Sequence, residues 1–355
     1  MPTIPSALRR VEYAAAAPGS VPCSQARVAM KPTIRRRDLG KLVGSAALTW
    51  PLALRGQPVK VARIGALYIG TADADSFRSQ LRQGMRDFGY VEGRNLAFEF
   101  RSAEGRLERL PQLAAELVQL KVDVIVALYV PCALAAKQAT RDIPIVILAG
   151  DPIETGIVSS LSHPGGNITG LSLMAAQSNG KSVELFRDMM PTIRRVAVLG
   201  HATNPVYAKA MLDQVELAGG PTGLEIRPVL MSREPADLEN AFATMVKERA
   251  DALVVQGSLA IRAVTDLALK YRMPSASTAR AFAEIGGLMA FGADGPTTVR
   301  DGAKFVDRIL KGKHPKDMPI EQPTKFELVI NMKTARTLGI AVPAKFLLRT
   351  DDLIQ

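Results

Sequence analysis

A single carboxylate, Asp151, stands where an α/β protein would use it for chemistry. The residues before it, Ile143–Ala149, form an apolar, β-branched run typical of a strand buried on both faces, and the chain then turns at Gly150-Asp151-Pro152. Open α/β sheets bind their ligands beyond the carboxyl ends of parallel strands. This pattern therefore predicts that Asp151 lies at the lip of a ligand cleft, within a hinge between two α/β lobes.

The sequence around this carboxylate does not supply a second catalytic group. The histidines are His163, His201 and His314, which stand beside Pro, Gly or Ala without metal-ligand spacing. The chain has no Gly-x-Ser-x-Gly, no Gly-x-Gly-x-x-Gly after a strand and no Walker sequence, so serine hydrolysis and nucleotide cofactors lack support. We predict no catalytic residue, no metal and no cofactor. Asp151 as a lone general base is the alternative, and it would make the protein an enzyme.

The elements that must position Asp151 alternate between strands and helices. Four predicted strands cover residues 61–68, 95–101, 122–128 and 143–149, and residues 71–76 are interpreted as a polar loop after the first strand. The helices between them follow apolar stripes, such as Phe77, Leu81, Met85 and Phe88 before Gly89, and Pro131 opens the third at a first-turn position. This alternation predicts right-handed βαβ units around a parallel sheet.

A similar pattern follows residues 143–170 and predicts a second α/β lobe. Residues 167–173, after a Pro-Gly-Gly turn, are interpreted as a strand that leaves the first sheet. Predicted helices cover residues 181–190, 205–217, 235–249 and 261–271, and predicted strands cover 195–200, 224–230 and 251–256. Residues 286–292 resemble a return strand and 297–310 a helix going back to the first lobe. We assign residues 60–168 and 290–318 to lobe 1, and 169–289 and 319–355 to lobe 2.

The first 56 residues resemble an export signal. Arg35-Arg36-Arg37 precedes a moderately apolar run, Leu42–Leu54, and paired arginines before such a run are typical of twin-arginine signals. The run is too short to span a bilayer permanently. A buried core helix is the alternative, which Pro51 disfavours. We therefore predict a leader over residues 1–56 and a periplasmic protein exported by the twin-arginine route.

Composition is that of a globular protein, with 47% hydrophobic and 22% charged residues in 355. This length suits two domains of roughly 150 residues each. The leader holds nine Lys or Arg and two acidic residues, so the remaining 36 basic and 32 acidic residues carry a net charge of +4 rather than +11. No basic stripe with interleaved aromatics is present, and we expect no nucleic-acid partner. Cys23 lies in the leader, which leaves Cys132 without an intrachain disulfide partner.

Six blocks of sequence together carry a family resemblance. They are Phe-Gly-Tyr-Val-Glu-Gly-Arg-Asn at 88–95, Arg-Leu-Pro at 109–111, Ile-Pro-Ile-Val at 143–146, Gly-Asp-Pro at 150–152, His-Pro-Gly-Gly-Asn-Ile-Thr-Gly at 163–170, and Gln-Pro-Thr-Lys-Phe-Glu-Leu-Val-Ile-Asn at 322–331. Across residues 60–355 the chain resembles the ABC-transporter substrate-binding family that includes tryptophan- and tyrosine-binding lipoproteins. The resemblance implies a type I periplasmic-binding-protein fold, in which three crossings join two Rossmann-like lobes and a small molecule binds between them.

Two parallel lobes would place strand carboxyl ends and helix N-termini around one cleft. Helix N-termini offer N–H groups that suit a ligand carboxylate, and Asp151 is expected to take the ligand ammonium. The candidate ligand-binding residues are Tyr68, Thr71, Tyr129, Pro131, Cys132 and Asp151 in the first lobe, His201, Thr203, Asn204, Gly257, Ser258, Arg280 and Phe282 in the second, and Phe291 and Asp294 at the return crossing.

Several of these candidates have alternative interpretations. Tyr68 and Phe291 are also consistent with core residues. Thr203 and Asn204 are consistent with capping a helix that begins at Pro205, and Arg280 with a solvated loop charge. For Cys132, a small apolar cleft residue is the alternative to a reactive thiol at a helix N-terminus.

Three departures from the family pattern bear on the ligand. This chain has Tyr129-Val130-Pro131 where the family often has Gly-Thr-Pro, and Gly257-Ser258 where aromatic-amino-acid binders often have Asp-Asn. An Asn-Pro-x-Asn-Pro run is reduced to His-Ala-Thr-Asn-Pro at 201–205. The resemblance therefore does not assign tryptophan or tyrosine to this chain.

These observations predict a monomeric solute-binding protein of an ABC importer. It would capture a small ligand, for which an amino acid is one candidate, and deliver it to the transmembrane subunits of an ABC permease. A stand-alone periplasmic sensor or scavenger is an alternative, because a fold does not determine a function. An α/β enzyme that uses the same cleft is the other alternative.

Overall fold

The computed structural model describes residues 61–70, 72–202, 205–231 and 237–355. These belong to one compact unit, Val59–Gln355. The predicted leader, with Arg36 and Arg37, lies outside the described residues, as do Thr71, Thr203 and Asn204. None of the helices in the described part of the chain is long and apolar enough to cross a bilayer.

Strands and helices alternate along most of the chain. The first group is β1 (Ala62–Tyr68), α1 (Ala74–Asp87), β2 (Leu96–Ser102), α2 (Leu110–Gln119), β3 (Val124–Leu128), α3 (Val130–Ala139), β4 (Ile145–Ala149) and β5 (Ile168–Ser172). The second is α4 (Ala175–Met189), β6 (Arg195–His201), α5 (Pro205–Thr222), β7 (Glu225–Met231), α6 (Leu238–Lys247), β8 (Ala252–Val255), α7 (Arg262–Lys270), β9 (Ser275–Ser277), α8 (Arg280–Glu284) and β10 (Met289–Ala293). The last is α9 (Gly295–Leu310), β11 (Ile320–Glu321), β12 (Phe326–Asn331), α10 (Met332–Leu338), α11 (Ala344–Leu347) and β13 (Asp352–Ile354).

Lobe 1 is built on a six-stranded parallel sheet in the order β11-β5-β4-β3-β1-β2. Every residue of its central strands β3 and β4 is buried, as expected for strands covered on both faces. The amphipathic helix α1 buries Phe77, Leu81 and Met85 in this lobe, and it packs against α9. The sheet and its helices thus form one core that holds the carboxyl ends of β1, β3 and β4 in place.

Lobe 2 is built on a seven-stranded sheet in the order β13-β12-β10-β9-β8-β6-β7. Neighbouring strands are parallel except for the pair β10 and β12, so β12 and β13 run opposite to the other five strands. The two larger apolar clusters in the described part of this lobe contain Phe186 of α4 and Phe242 of α6. The chain therefore has the predicted fold class, two Rossmann-like α/β lobes of type I periplasmic-binding-protein architecture.

Three crossings join the lobes. The chain passes from β5 to α4 through Leu173 and Met174, from β10 to α9 through Asp294, and from β11 to β12 through residues 322–325. Two of these segments are joined by hydrogen bonds. The Asp294 carboxylate accepts one from Lys325 Nζ at 2.7 Å, and the backbone N–H of Asp294 donates to the Lys325 carbonyl. The crossings therefore form a connected hinge.

The positions of the crossings correct the lobe boundaries expected from the sequence. Strand β5 pairs in parallel with β4, so it belongs to lobe 1 and does not leave the first sheet. Strand β10 pairs with β9 and β12, so residues 290–293 belong to lobe 2. Strand β11 pairs with β5, which places residues 320–321 in lobe 1. Sheet membership depends on these pairings, which local sequence patterns do not specify.

Candidate functional site

A cavity of about 180 Å³ lies where the two lobes face each other beside the hinge. Its walls come from the carboxyl ends of β3, β4 and β10 and from the starts of α1, α8 and α9. The lining residues are Asp73, Ser76, Phe77, Leu128, Tyr129, Leu148, Leu173, Thr278, Ala279, Arg280, Ala281, Glu284, Ala293, Gly295, Pro296, Thr298 and Val299. The cavity therefore combines a few polar groups with a predominantly apolar wall, which is typical of small-molecule sites.

Asp73 and the first turn of α1 form the polar end of the cavity in lobe 1. The Asp73 carboxylate accepts a hydrogen bond from the Tyr129 hydroxyl at 2.5 Å. The first backbone hydrogen bond of α1 runs from the Phe77 N–H to the Asp73 carbonyl. The N–H groups of residues 74–76 therefore have no partner within the helix, as at every helix N-terminus. A negative carboxylate and a positive helix end thus lie side by side here.

A second, smaller space of about 20 Å³ shares Tyr129, Leu173 and Thr278 with the larger cavity. Its walls are formed by Tyr129, Val130, Pro131, Gly150, Leu173, Ala175, Gln256, Gly257, Ser258 and Thr278. Gln256 donates to the Ser258 hydroxyl at 2.8 Å, so two neutral polar groups meet at the lobe 2 side. The structure thus brings four of the sequence candidates, Tyr129, Pro131, Gly257 and Ser258, together around this space.

The two lobes also touch directly across the cleft. The N–H of Ala72, just before α1, donates to the carbonyl of Ala260 in lobe 2 at 3.2 Å. The lobes are therefore in backbone contact at this point, away from the three crossings.

Arg280 lines the larger cavity but is already engaged by carboxylates of its own lobe. Its guanidinium bonds Glu284 at 2.9 Å, Glu327 at 3.4 Å and also Asp352. The hydrogen bond that Arg280 donates to the Asp352 carboxylate raises the pKa of Arg280 above its ordinary value. Arg280 is therefore held in place beside the cavity, and Glu284, which also lines it, shares this ion pair.

Asp151 does not line either cavity. Its side chain is buried, and a carboxylate oxygen accepts a hydrogen bond from the Ala176 N–H at 2.8 Å, in the first turn of α4. Burial raises the pKa of Asp151 to about 6, although the bond to Ala176 acts in the opposite direction. The structure thus places Asp151 as a contact from lobe 1 to the first helix of lobe 2. Asp151 therefore does not lie at the lip of the cleft, and this part of the sequence-based prediction is wrong.

Asp151→Asn is expected to stabilise the protein at pH 8 and to leave it nearly unchanged at pH 4. Because the folded-state pKa is raised from 3.8 to about 6, the protonated carboxyl contributes stability below pH 4 that is lost as the pH rises through 6. Two pKa units correspond to about 3 kcal/mol. Asparagine keeps an acceptor for Ala176 and removes the charge. Melting curves of both proteins at the two pH values measure the difference, and equal stability at pH 8 would contradict the burial argument.

Four other candidates do not line the two cavities; Tyr68, Phe282 and Cys132 are buried and Phe291 is half-buried. Tyr68 packs against Phe77 with ring centroids 5.6 Å apart, which agrees with its alternative interpretation as a core residue. Phe282 is fully buried, and Phe291 stacks on Phe326 at 6.0 Å within lobe 2. Cys132 is also fully buried, and burial raises the pKa of its thiol well above the ordinary value. A buried thiol of this kind is not a reactive nucleophile.

His201 and Asp294 hold backbone in place near the site. The backbone N–H of His201 donates to the side-chain oxygen of Gln256 at 2.9 Å. Burial lowers the pKa of the His201 imidazole to about 4. The imidazole is therefore neutral at pH 7 and offers no charge to a ligand anion. Asp294 caps α9 by accepting the Thr297 N–H at 3.1 Å. Thr71, Thr203 and Asn204 lie outside the described residues, and their assignment stays a prediction.

The structure adds polar residues that the sequence analysis did not select. These are Asp73, Ser76, Gln256, Thr278, Glu284 and Thr298. Asp73 and Ser76 fall in the segment interpreted as a polar loop after β1, where an Asp followed by a helical pattern is a recognisable start signal. The described residues contain no group of three or more His, Cys, Asp or Glu that could hold a metal ion.

Comparisons with known proteins agree with this architecture. Residues 67–354 match the family described as ABC transporter substrate binding protein. A tyrosine-binding protein from Clostridioides difficile (strain R20291) is 26% identical over 270 residues, which cover 75% of this chain and 77% of that protein. A conserved domain protein from Vibrio cholerae has a crystal structure with a TM-score of 0.76 and 27% identity, covering 83% of this chain and all of that one. A Streptococcus domain solved with L-Trp has a TM-score of 0.74 and 24% identity, covering 82% of this chain and all of that one.

Proposed function

Because the chain belongs to the ABC transporter substrate-binding protein family, we propose that its interlobe cavity captures a small α-amino acid with an apolar side chain. The protein is a solute-binding component of an ABC importer, and such components bind small molecules and work with an ABC permease. The observation that carries the proposed ligand class is the polar end of the cavity, where Asp73 lies beside the N-terminus of α1.

The polar groups of the cavity match the two charges of an α-amino acid. Its ammonium and carboxylate are attached to one carbon, so they need a carboxylate and an anion site next to each other. Asp73 supplies the first, and the N–H groups of residues 74–76 at the start of α1 supply the second. We therefore propose Asp73 as the partner of the ligand ammonium. Asp151 is not available for this role, because its carboxylate accepts the Ala176 N–H at the start of α4.

The remaining wall suits an apolar side chain of limited size. Phe77, Leu128, Leu148, Leu173 and Val299 line it. A cavity of about 150 Å³ holds benzene, and sites for drug-sized ligands span about 300–1,000 Å³. At about 180 Å³, this cavity accommodates a ligand near the small end of that scale.

The similarity to a tyrosine-binding protein supports an amino acid as the ligand class. It does not extend to the side chain, because this chain has a tyrosine and a Gly-Ser pair at positions where the family pattern differs. We therefore propose that this protein, like the tyrosine-binding relative, binds an α-amino acid, and that the side chain of its ligand is smaller than that of tyrosine.

A thermal-shift screen of the purified protein against L-amino acids, sugars and purines tests the proposal. A ligand at 100 times its Kd adds about 2.7 kcal/mol to the stability of the folded protein. We expect saturable stabilisation by one or more small apolar amino acids, with no chemical change in the ligand. Stabilisation only by sugars or purines would contradict the amino-acid assignment, and turnover of a bound amino acid would support an enzyme instead.

The leader sequence, residues 1–56, is the basis for expecting export by the twin-arginine route. Proteins of this family are typically extracellular or periplasmic. We propose that Arg36 and Arg37 direct export, and that the protein acts as a monomer without nucleic acid. Replacing both arginines with lysine is expected to block export of a folded reporter fused to residues 1–56. Undiminished export would contradict the twin-arginine assignment.

A further inference from the structure

Tyr129 has a backbone conformation that normally belongs to glycine. Its φ is 71° and its ψ is 160°, at the junction between β3 and the first turn of α3. This region of backbone space is almost exclusive to glycine, and residues held in such conformations cluster at functional sites. A tyrosine at this position therefore indicates that its side chain has a role that offsets the backbone strain.

Tyr129 borders both spaces of the cleft. It lines the cavity of about 180 Å³ and the space of about 20 Å³, as Leu173 and Thr278 also do. The hydroxyl is fixed by the hydrogen bond to Asp73 in its own lobe. On the opposite side the ring faces lobe 2, since a Cβ built on Gly257 would lie 3.5 Å from Tyr129 Cε1. The ring thus reaches across the cleft from lobe 1 to the backbone of lobe 2.

We propose that the Tyr129 ring is the wall that sets the maximum size of the ligand side chain. This inference rests on the proposed function and deepens it. With the ring in place, a ligand is confined to the larger cavity and is separated from Gln256, Gly257 and Ser258. A ligand with a bulkier, aromatic side chain would have to occupy the volume that the ring fills.

The volumes are consistent with this role. A benzene ring needs about 150 Å³, so removal of the phenol ring from between the two spaces would create a joined cavity of about 350 Å³. This volume reaches the range of typical ligand sites. The added part would end at the polar groups of Gln256 and Ser258, which could bond a hydroxyl or an indole N–H.

The test compares the wild type with Tyr129→Gly and Tyr129→Phe. Glycine suits the backbone conformation and removes the wall, whereas phenylalanine keeps the ring and removes only the bond to Asp73. Titrations with L-valine and L-tryptophan give the ratio of the two Kd values for each protein. We expect Tyr129→Gly to shift this ratio toward tryptophan by about 30-fold or more, and Tyr129→Phe to keep the wild-type preference. An unchanged ratio in Tyr129→Gly, or a wild type that binds tryptophan as well as valine, overturns the proposal.

A second probe separates this inference from the amino-acid assignment. Phenol replaces the deleted ring, so it should stabilise Tyr129→Gly against heat and leave the wild type unaffected. If no protein binds an amino acid, the proposed function fails, and the phenol experiment still decides whether the ring fills a bindable space. Equal effects of phenol on both proteins overturn the proposal. If Tyr129→Gly does not fold, Tyr129→Phe decides: retained exclusion of tryptophan supports the ring as the wall, and loss of exclusion overturns it.

Discussion

Asp73→Asn is expected to weaken the binding of an α-amino acid by about 30-fold to a few thousand-fold. The substitution removes the charge that pairs with the ligand ammonium and keeps an oxygen to accept the Tyr129 hydroxyl. Loss of one partner of an enclosed, hydrogen-bonded charge pair costs about 2–5 kcal/mol, and each 1.4 kcal/mol is a factor of ten in Kd. Isothermal titration calorimetry of the variant with the amino acid that binds the wild type measures the loss.

Asp75→Asn is the matched control for this prediction. Asp75 lies two residues further along, in the first turn of α1, and its side chain is 88% exposed. The Asp75→Asn substitution also removes one negative charge near the N-terminus of α1, but Asp75 does not line the cavity. The control should bind within about threefold of the wild type, because exposed charges contribute little. Equal affinity of Asp73→Asn and Asp75→Asn would remove Asp73 from the ligand site.

Gly292→Ala is expected to destabilise the protein by about 3 kcal/mol and to distort the cavity. Gly292 lies in β10, just before the second crossing, and a Cβ there would be 2.1 Å from the Thr278 carbonyl oxygen. A backbone atom cannot move aside as a flexible side chain can, so β10 and the segment after β9 must separate. Overpacking of this kind costs about 1–3 kcal/mol or more. Thr278 lines both cavities, so ligand affinity should fall together with the melting temperature.

Gly200→Ala provides the comparison within the same sheet. A Cβ at Gly200 in β6 would meet only side-chain atoms, of Gln256, Met211 and Leu230, at 3.1–3.2 Å. These groups can shift by a few tenths of an ångström, so we expect a cost below about 1 kcal/mol, as for many small changes in a core. Chemical denaturation of both variants gives the two free energies of unfolding. If Gly200→Ala were as destabilising as Gly292→Ala, the close backbone approach at Gly292 would not be the cause.

The sequence predicted the strands and long helices well because their signals are local. Apolar β-branched runs produced β1, β3, β4, β6 and β8, and helical stripes produced α1, α2 and α9. Helix α4 begins at Ala175, six residues before the expected start, because its first turn is rich in small and polar residues. The elements β9 and α8, of three and five residues, are too short to show a period.

The site was harder to predict because it depends on contacts between distant segments. The strand-end rule selected Asp151, but a helix that begins 24 residues later takes its carboxylate as a cap partner. The same rule at β1 leads to Asp73, whose segment was interpreted only as a polar loop. Tyr129 was among the sequence candidates, whereas its unusual backbone conformation, its place in the lining of both spaces and its approach to Gly257 in the other lobe are visible only in the structure.

The most direct test of the ligand class uses one amino acid and two blocked derivatives. The best-binding amino acid from the screen, its N-acetyl derivative and its amide are titrated calorimetrically into the purified protein. Because Asp73 and the N-terminus of α1 each recognise one charge, each derivative should bind about 30-fold or more weakly than the free amino acid. Equal binding of the N-acetyl derivative would show that no carboxylate of the cavity holds the ammonium, and it would contradict the proposed recognition of an α-amino acid.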